Sequence, residues 1–95
     1  MAAFRFAVSV MPKAGILDPQ GRAVEVSLPH LQVDNVRDVR VGRRIELTVD
    51  APDQASARAT VEHLAGQLFA NGLIETWAVE SIVAAEPVAT GEGSR

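Results

Sequence analysis

The sequence predicts an α+β sandwich of order β-α-β-β-α-β, ferredoxin-like, with two helices on one face of a four-stranded, mostly antiparallel sheet. Three patterns support it. Near the start, Phe4, Phe6, Val8 and Val10 alternate with Arg5, Ala7 and Ser9, the period of two expected of a strand with one buried face. In the middle, Ile45, Leu47 and Val49 alternate in the same way with Glu46, Thr48 and Asp50. Between the second pattern and the last strand, Ala57, Val61, Leu64, Ala65, Leu68 and Phe69 recur at helical spacing and form one stripe. The two β-α-β halves have similar lengths without a sequence repeat, which suits pseudo-two-fold packing.

Taken in order, residues 3–10 form the first strand, and Met11-Pro12-Lys13-Ala14-Gly15 a loop punctuated by Pro and Gly. Asp18-Pro19-Gln20-Gly21 fits a type I turn, but it fits equally well a helix start with Asp18 as N-cap and Pro19 at the first position. Helical spacing at Ala23 or Val24, Leu28 and Leu31 favours the helix. Pro29 in an interior turn would cost about 3 kcal/mol, so this helix should kink or stop near Leu28. Residues 36–50 read as two short strands, Val39 and Val41 flanking Arg40 on the first, with a reversal or bulge expected at Gly42. Ala51-Pro52-Asp53 opens the second helix, and Asn71-Gly72 is expected to stop it with a left-handed residue. Ile74 to Val83 forms the last strand. Ile74, Ala78 and Ile82 share one parity and Trp77 and Val79 the other, so both its faces are partly apolar. Residues 1–83 thus make one domain, and from Ala84 the run to Arg95 lacks apolar periodicity, as in a disordered tail.

A chain of 95 residues has room for one core of modest stability, and association between copies is a common remedy at this size. Its formal net charge of −3 gives no general reason to bind nucleic acid or an anionic membrane. There is no cysteine, hence no disulfide framework, thiolate nucleophile or cysteine metal site. No signal-peptide pattern or apolar run of membrane-spanning length is apparent, so a cytoplasmic address is expected.

The residues that could carry chemistry are scattered. His30 and His63 lie far apart on helical segments, where a solvated histidine is the ordinary finding. The serines lack a nucleophile elbow, and Gly91-Glu92-Gly93 has neither a strand before it nor a helix after it. The carboxylates show no sign of the burial and partner charges that acid–base work requires. An RNA-recognition module would need paired aromatics on its central strands, and only 4% of this chain is aromatic. A copper chaperone would need a Cys pair, and an acylphosphatase an Arg in the loop after strand one. What stands out is basic: Arg37, Arg40, Arg43 and Arg44 crowd residues 36–50 of an acidic chain. They serve either as solvated charges protecting a sheet edge or as contacts to a protein partner. Trp77 is either core filler or an interface anchor.

Ile16-Leu17-Asp18-Pro19-Gln20-Gly21-Arg22-Ala23-Val24-Glu25, Val36-Arg37-Asp38-Val39-Arg40-Val41-Gly42-Arg43 with Ile45-Glu46-Leu47, and Leu68-Phe69-Ala70-Asn71-Gly72-Leu73-Ile74-Glu75 resemble, in order and spacing, the PurS family. These are the small subunits of phosphoribosylformylglycinamidine (FGAM) synthase in de novo purine synthesis. Two departures concern helix ends: Gln32 stands where the family often has Gly, and Gly72 where it commonly has Pro. The resemblance implies a non-catalytic subunit, itself a homodimer, that bridges a glutaminase subunit and a large ATP-dependent synthetase subunit and assists ammonia transfer. It implies no catalytic, cofactor or metal site in this chain, with ATP and Mg bound by the synthetase. Residues expected at partner interfaces are Arg40, Gly42, Arg43, Arg44, Asp18, Gln20 and Trp77. The alternative is a dimeric regulatory domain that binds a small ligand.

Overall fold

The computed structural model describes residues 1–83; the expected tail, 84–95, lies outside them. Strand β1 runs Ala2–Pro12. Helix α1, Pro19–Ser27, passes into a 3₁₀ turn at Leu28–Leu31. Strand β2 is Arg43–Ala51, helix α2 is Gln54–Leu64 followed by a π turn at Ala65–Phe69, and strand β3 is Glu75–Ile82. The sheet has three strands in the order β2-β1-β3, both pairings antiparallel.

The register explains the core. Phe6 lies opposite Leu47, Val8 between Ile45 and Val79, and Val10 between Arg43 and Trp77, so the odd-numbered residues of β2 and β3 share the face of the even-numbered residues of β1. Ala57 and Val61 on α2 and Ala65 at the start of the π turn, one turn apart, lie on that face. With Phe6, Val8, Val10 and Ala51 they form the buried cluster. Small residues on the helix let it approach the sheet closely, while the strand supplies the bulk. The opposite face carries Arg5, Ser9, Arg44, Glu46, Thr48, Asp50, Thr76 and Glu80, and no helix covers it. Trp77 is on the helix side, its indole over Gly66, and is 38% exposed.

Three expectations are corrected. Residues 36–41 form no strand, so among the described residues the sheet has three strands rather than four. Their amides turn to carboxylates of α1 instead of to a neighbouring strand, and Asp38 takes φ +59, which breaks extended geometry. Gly42 does not reverse the chain. It precedes β2 alongside Val10 and Met11 of β1, where a Cβ would overlap the Val10 carbonyl and the Met11 sulfur. Second, only α2 packs extensively on the sheet. α2 packs on all three strands, whereas α1 contributes nothing to the core cluster and buries only Gly21. Third, Gly72 is not the left-handed stop of α2. The chain leaves the helix at Ala70, in extended conformation, and turns at Asn71, whose carbonyl accepts from the Ile74 and Glu75 amides.

The end of α1 follows the expectation from Pro29. The α-helix stops at Ser27, Pro29 sits early in the 3₁₀ turn where its missing N–H is no loss, and Gln32 closes the turn at φ +62.

Candidate functional site

The β1–α1 loop, the segment before β2 and the start of β3 meet at one end of the sheet, and a carboxylate clasp joins the first two. Asp18 caps α1: its Oδ1 accepts from the Gly21 amide at 3.0 Å, while Oδ2 accepts from the Val41 amide at 2.8 Å. Two turns further along, Glu25 Oε2 accepts from the Val39 amide at 2.9 Å, and Oε1 takes an ion pair from Arg22 at 3.2 Å. Gly21 lies between the two carboxylates. A Cβ there would overlap the Val39 carbonyl, so only glycine lets segment 38–41 lie this close to the helix. The amides of Gly21 and Val41 hold the Asp18 carboxyl below the ordinary carboxylate range. The Val39 amide, then the Arg22 guanidinium, does the same for Glu25. Both acids are therefore engaged by backbone amides that favour their charged form.

Arg43, at the start of β2, ties the same end of the sheet to the end of α2. Its guanidinium meets both oxygens of Glu75, at 2.8 and 3.1 Å, and also donates to the Phe69 carbonyl. Glu75 in turn accepts from the Asn71 amide at 2.7 Å. This fork-to-fork contact fastens the Asn71 turn, and Glu75 keeps a lowered pKa chiefly through Arg43. Arg44 points to the open face, where it meets Glu46 at 2.9 Å and Glu80 at 3.3 Å, and Arg5 joins Glu46 from β1.

The residues expected at interfaces thus separate. Asp18, Gln20, Gly42 and Arg43 come together around one cleft of ≈ 560 Å³, whose walls also include Pro12, Ile16, Leu17, Pro19, Val41, Ile74 and Glu75. Arg40 lines an adjoining shallower cleft of ≈ 440 Å³ with Lys13, Arg22, Glu25 and Asp38. The two clefts share Ile16, Leu17 and Asp18. Arg44 and Trp77 lie elsewhere, on opposite faces of the sheet. Leu17, 80% exposed, stands at the rim. Among the described residues, Arg40 has no ion-pair partner and no three His, Asp or Glu side chains gather as a metal site. The clefts offer apolar surface with charged residues of both signs at their margins, a chemistry suited to protein contact.

Two residues of this arrangement escaped sequence reading, Glu25 and Glu75. Glu25 left a trace: Asp18, Gly21 and Glu25 fall on one helical face, two acids around a glycine, which is a surface able to receive backbone amides. Glu75 left none.

A family model described as "PurS: Phosphoribosylformylglycinamidine (FGAM) synthase" matches residues 5–82. The chain belongs to the PurS family. The PurS subunit of the FGAM synthase of Synechocystis sp. is 41% identical over 73 residues, spanning 77% of this chain and 73% of that protein. That of Mycobacterium leprae is 41% identical over 75 residues, 79% of this chain and 91% of its own. Among solved structures, Bacillus subtilis PurS superposes with a TM-score of 0.73 at 34% identity, covering 84% of this chain and 99% of that one. A chain in the PurLQS structure from Thermotoga maritima superposes at 0.78 with 28% identity, covering 86% and 100%. Two of the blocks that carry the resemblance to PurS, 16–25 and 36–43, are the two halves of the clasp. As a member of the PurS family the chain is a subunit of FGAM synthase in the purine pathway. Among the described residues no helix is long and apolar enough to cross a membrane.

Proposed function

We propose that this chain is the non-catalytic assembly subunit of a glutamine-dependent FGAM synthase. As a homodimer in the cytoplasm, it bridges the glutaminase subunit and the large synthetase subunit and assists ammonia transfer between them. ATP and Mg are held by the synthetase. The observation that carries this reading is the match to PurS over residues 5–82, together with the likeness to a chain of the PurLQS structure. The clasped end of the sheet supports it: its acids are occupied by backbone amides, and the clefts beside them present apolar residues and the cations Lys13 and Arg40. Within this reading Asp18, Gly42 and Arg43 hold the contact surface in shape, Gln20 and Arg40 meet a partner directly, and Arg44 and Trp77 lie on contact surfaces of their own.

Reconstitution tests the reading. The synthetase and glutaminase subunits are mixed with and without the full chain, and FGAM formation is measured with glutamine and, separately, with ammonium salt as nitrogen donor. Glutamine-dependent synthesis should require the chain, while ammonium-dependent synthesis should not. Equal glutamine-dependent rates in both mixtures would remove the proposal. Arg40→Glu should weaken co-elution with the other subunits while leaving the circular dichroism spectrum unchanged.

A further inference from the structure

The chain has two asparagines, Asn35 and Asn71, both exposed, and the residues that follow them differ sharply. Val36 carries a stiff β-branched side chain that crowds its own backbone nitrogen. Gly72 carries no side chain, and a Cβ added there would meet nothing within 4 Å. Nor does the backbone demand glycine at this place: among the described residues Gly15 is the glycine with positive φ, not Gly72. Neither packing nor conformation accounts for Gly72. What it leaves is an unshielded peptide nitrogen beside a side-chain amide.

The turn presents that amide to the nitrogen. The Asn71 carbonyl accepts from the Ile74 amide at 3.1 Å and from the Glu75 amide at 2.7 Å, closing a turn with Gly72 in its second position. The side chain folds forward, Oδ1 accepting from the Leu73 amide at 3.1 Å. This bond lays the side-chain amide along the Gly72 peptide and draws electron density from Cγ. Among the described residues the Gly72 N–H has no hydrogen-bond partner. Attack by the Gly72 nitrogen forms an N–Cγ bond and breaks the Cγ–Nδ2 bond, and ammonia leaves with the amide proton. Water then opens the cyclic imide at either carbonyl. Opening at Cγ gives aspartate, and opening at the main-chain carbonyl gives isoaspartate, with the chain running through the former side chain.

We propose that Asn71 is a self-modification site, where the folded turn converts asparagine to aspartate and isoaspartate without an enzyme. Either product adds a carboxylate to the turn that holds Glu75. Isoaspartate also inserts a methylene into the main chain and moves the carbonyl that the Ile74 and Glu75 amides bond, so conversion loosens the entry to β3 that Arg43 fastens through Glu75. The full chain is incubated in mildly alkaline buffer and sampled over time. Peptide mapping by mass spectrometry locates the amide-to-acid exchange, and electron-transfer fragmentation identifies isoaspartate. Conversion should accumulate at Asn71 well ahead of Asn35. Gly72→Pro, which lacks the attacking N–H and suits the second position of the turn, should abolish it. Gly72→Ala, whose methyl enters open space, should slow it strongly and serves if the proline variant misfolds. Conversion at Asn71 no faster than at Asn35, an unchanged rate in Gly72→Ala, or conversion confined to chain unfolded in urea would each overturn the proposal. In the converted chain, hydrogen exchange at the Ile74 and Glu75 amides should accelerate; unchanged exchange there would overturn the loosening.

Discussion

Helices α1 and α2 are of similar length but are held by different forces. α2 is attached by burial: Ala57, Val61 and Ala65 lie against Phe6, Val8 and Val10, all fully buried. α1 is attached by polar bonds, the carboxylates of Asp18 and Glu25 reaching the amides of Val41 and Val39, while Val24, Val26 and Leu31 remain exposed. Apolar burial scales with area and is insensitive to pH, whereas a carboxylate–amide bond depends on ionisation and on exact spacing. The first holds the domain together; the second shapes one end of it. A protein can therefore lose the shape of its contact surface without losing its core.

The largest expected effect breaks the burial side of this comparison. Phe6→Ala, at the centre of the cluster, should cost about 3–5 kcal/mol and lower the denaturation midpoint for every probe, including amides of α1. Circular dichroism in denaturant measures it, and a loss below about 1 kcal/mol would show that the sheet–helix core is not the dominant attachment.

Gly21→Ala addresses the other side. The added methyl must displace the Val39 carbonyl, at a cost of about 1–3 kcal/mol. Hydrogen exchange should accelerate at Val39 and Val41 well beyond any change at Val8. Uniform acceleration across all three would mean that the clasp and the core open as one unit.

Acid should separate the two attachments without mutation. Asp18 and Glu25 have lowered pKa values in the folded chain, so their contribution is present above the ordinary carboxylate range and is lost as pH falls through the folded values. On titration from about pH 6 to about pH 3, the Val39 and Val41 amide resonances should shift before those of Val8 and Val10. Asp18→Asn should abolish the early shift at Val41 and leave that at Val39.

The smallest effect sharpens the picture at the end of α1. Gln32 occupies left-handed backbone at φ +62, a conformation that costs a side-chain-bearing residue about 1 kcal/mol relative to glycine. Gln32→Gly should raise stability by about that amount in thermal unfolding, with no effect on assembly with the other subunits. A loss of stability would mean that the Gln32 side chain contributes more than its backbone costs.

The contrast between helices also marks where sequence reading succeeded. Alternation in 4–10 and 45–49 identified β1 and β2, and the stripe from Ala57 to Phe69 identified α2, because each signal is the local imprint of burial on one face. Val39 and Val41 flank Arg40 in the same pattern, yet they form no strand. Their amides are taken by acids 14 and 23 residues upstream, a competition invisible at short range. Gly42 was recognisable as a special position, but for the wrong reason: it is needed for the close approach of β1, not for a turn. Of the arginines, Arg43 and Arg44 proved to be engaged with Glu75, Glu46 and Glu80, partners that lie on other strands or depend on which face a side chain takes.

By itself the sequence determined the α+β class, the two well-patterned strands, the capped start of α1 at Asp18, the early stop before Pro29, and the family. Each of these is written in periodicity, capping chemistry or residue identity over a few turns of chain. Only the tertiary structure decided that among the described residues the sheet stops at three strands, and that α1 is held by a carboxylate clasp rather than by burial. Those features depend on which distant group reaches a backbone amide or carbonyl first, and no local pattern records that distance.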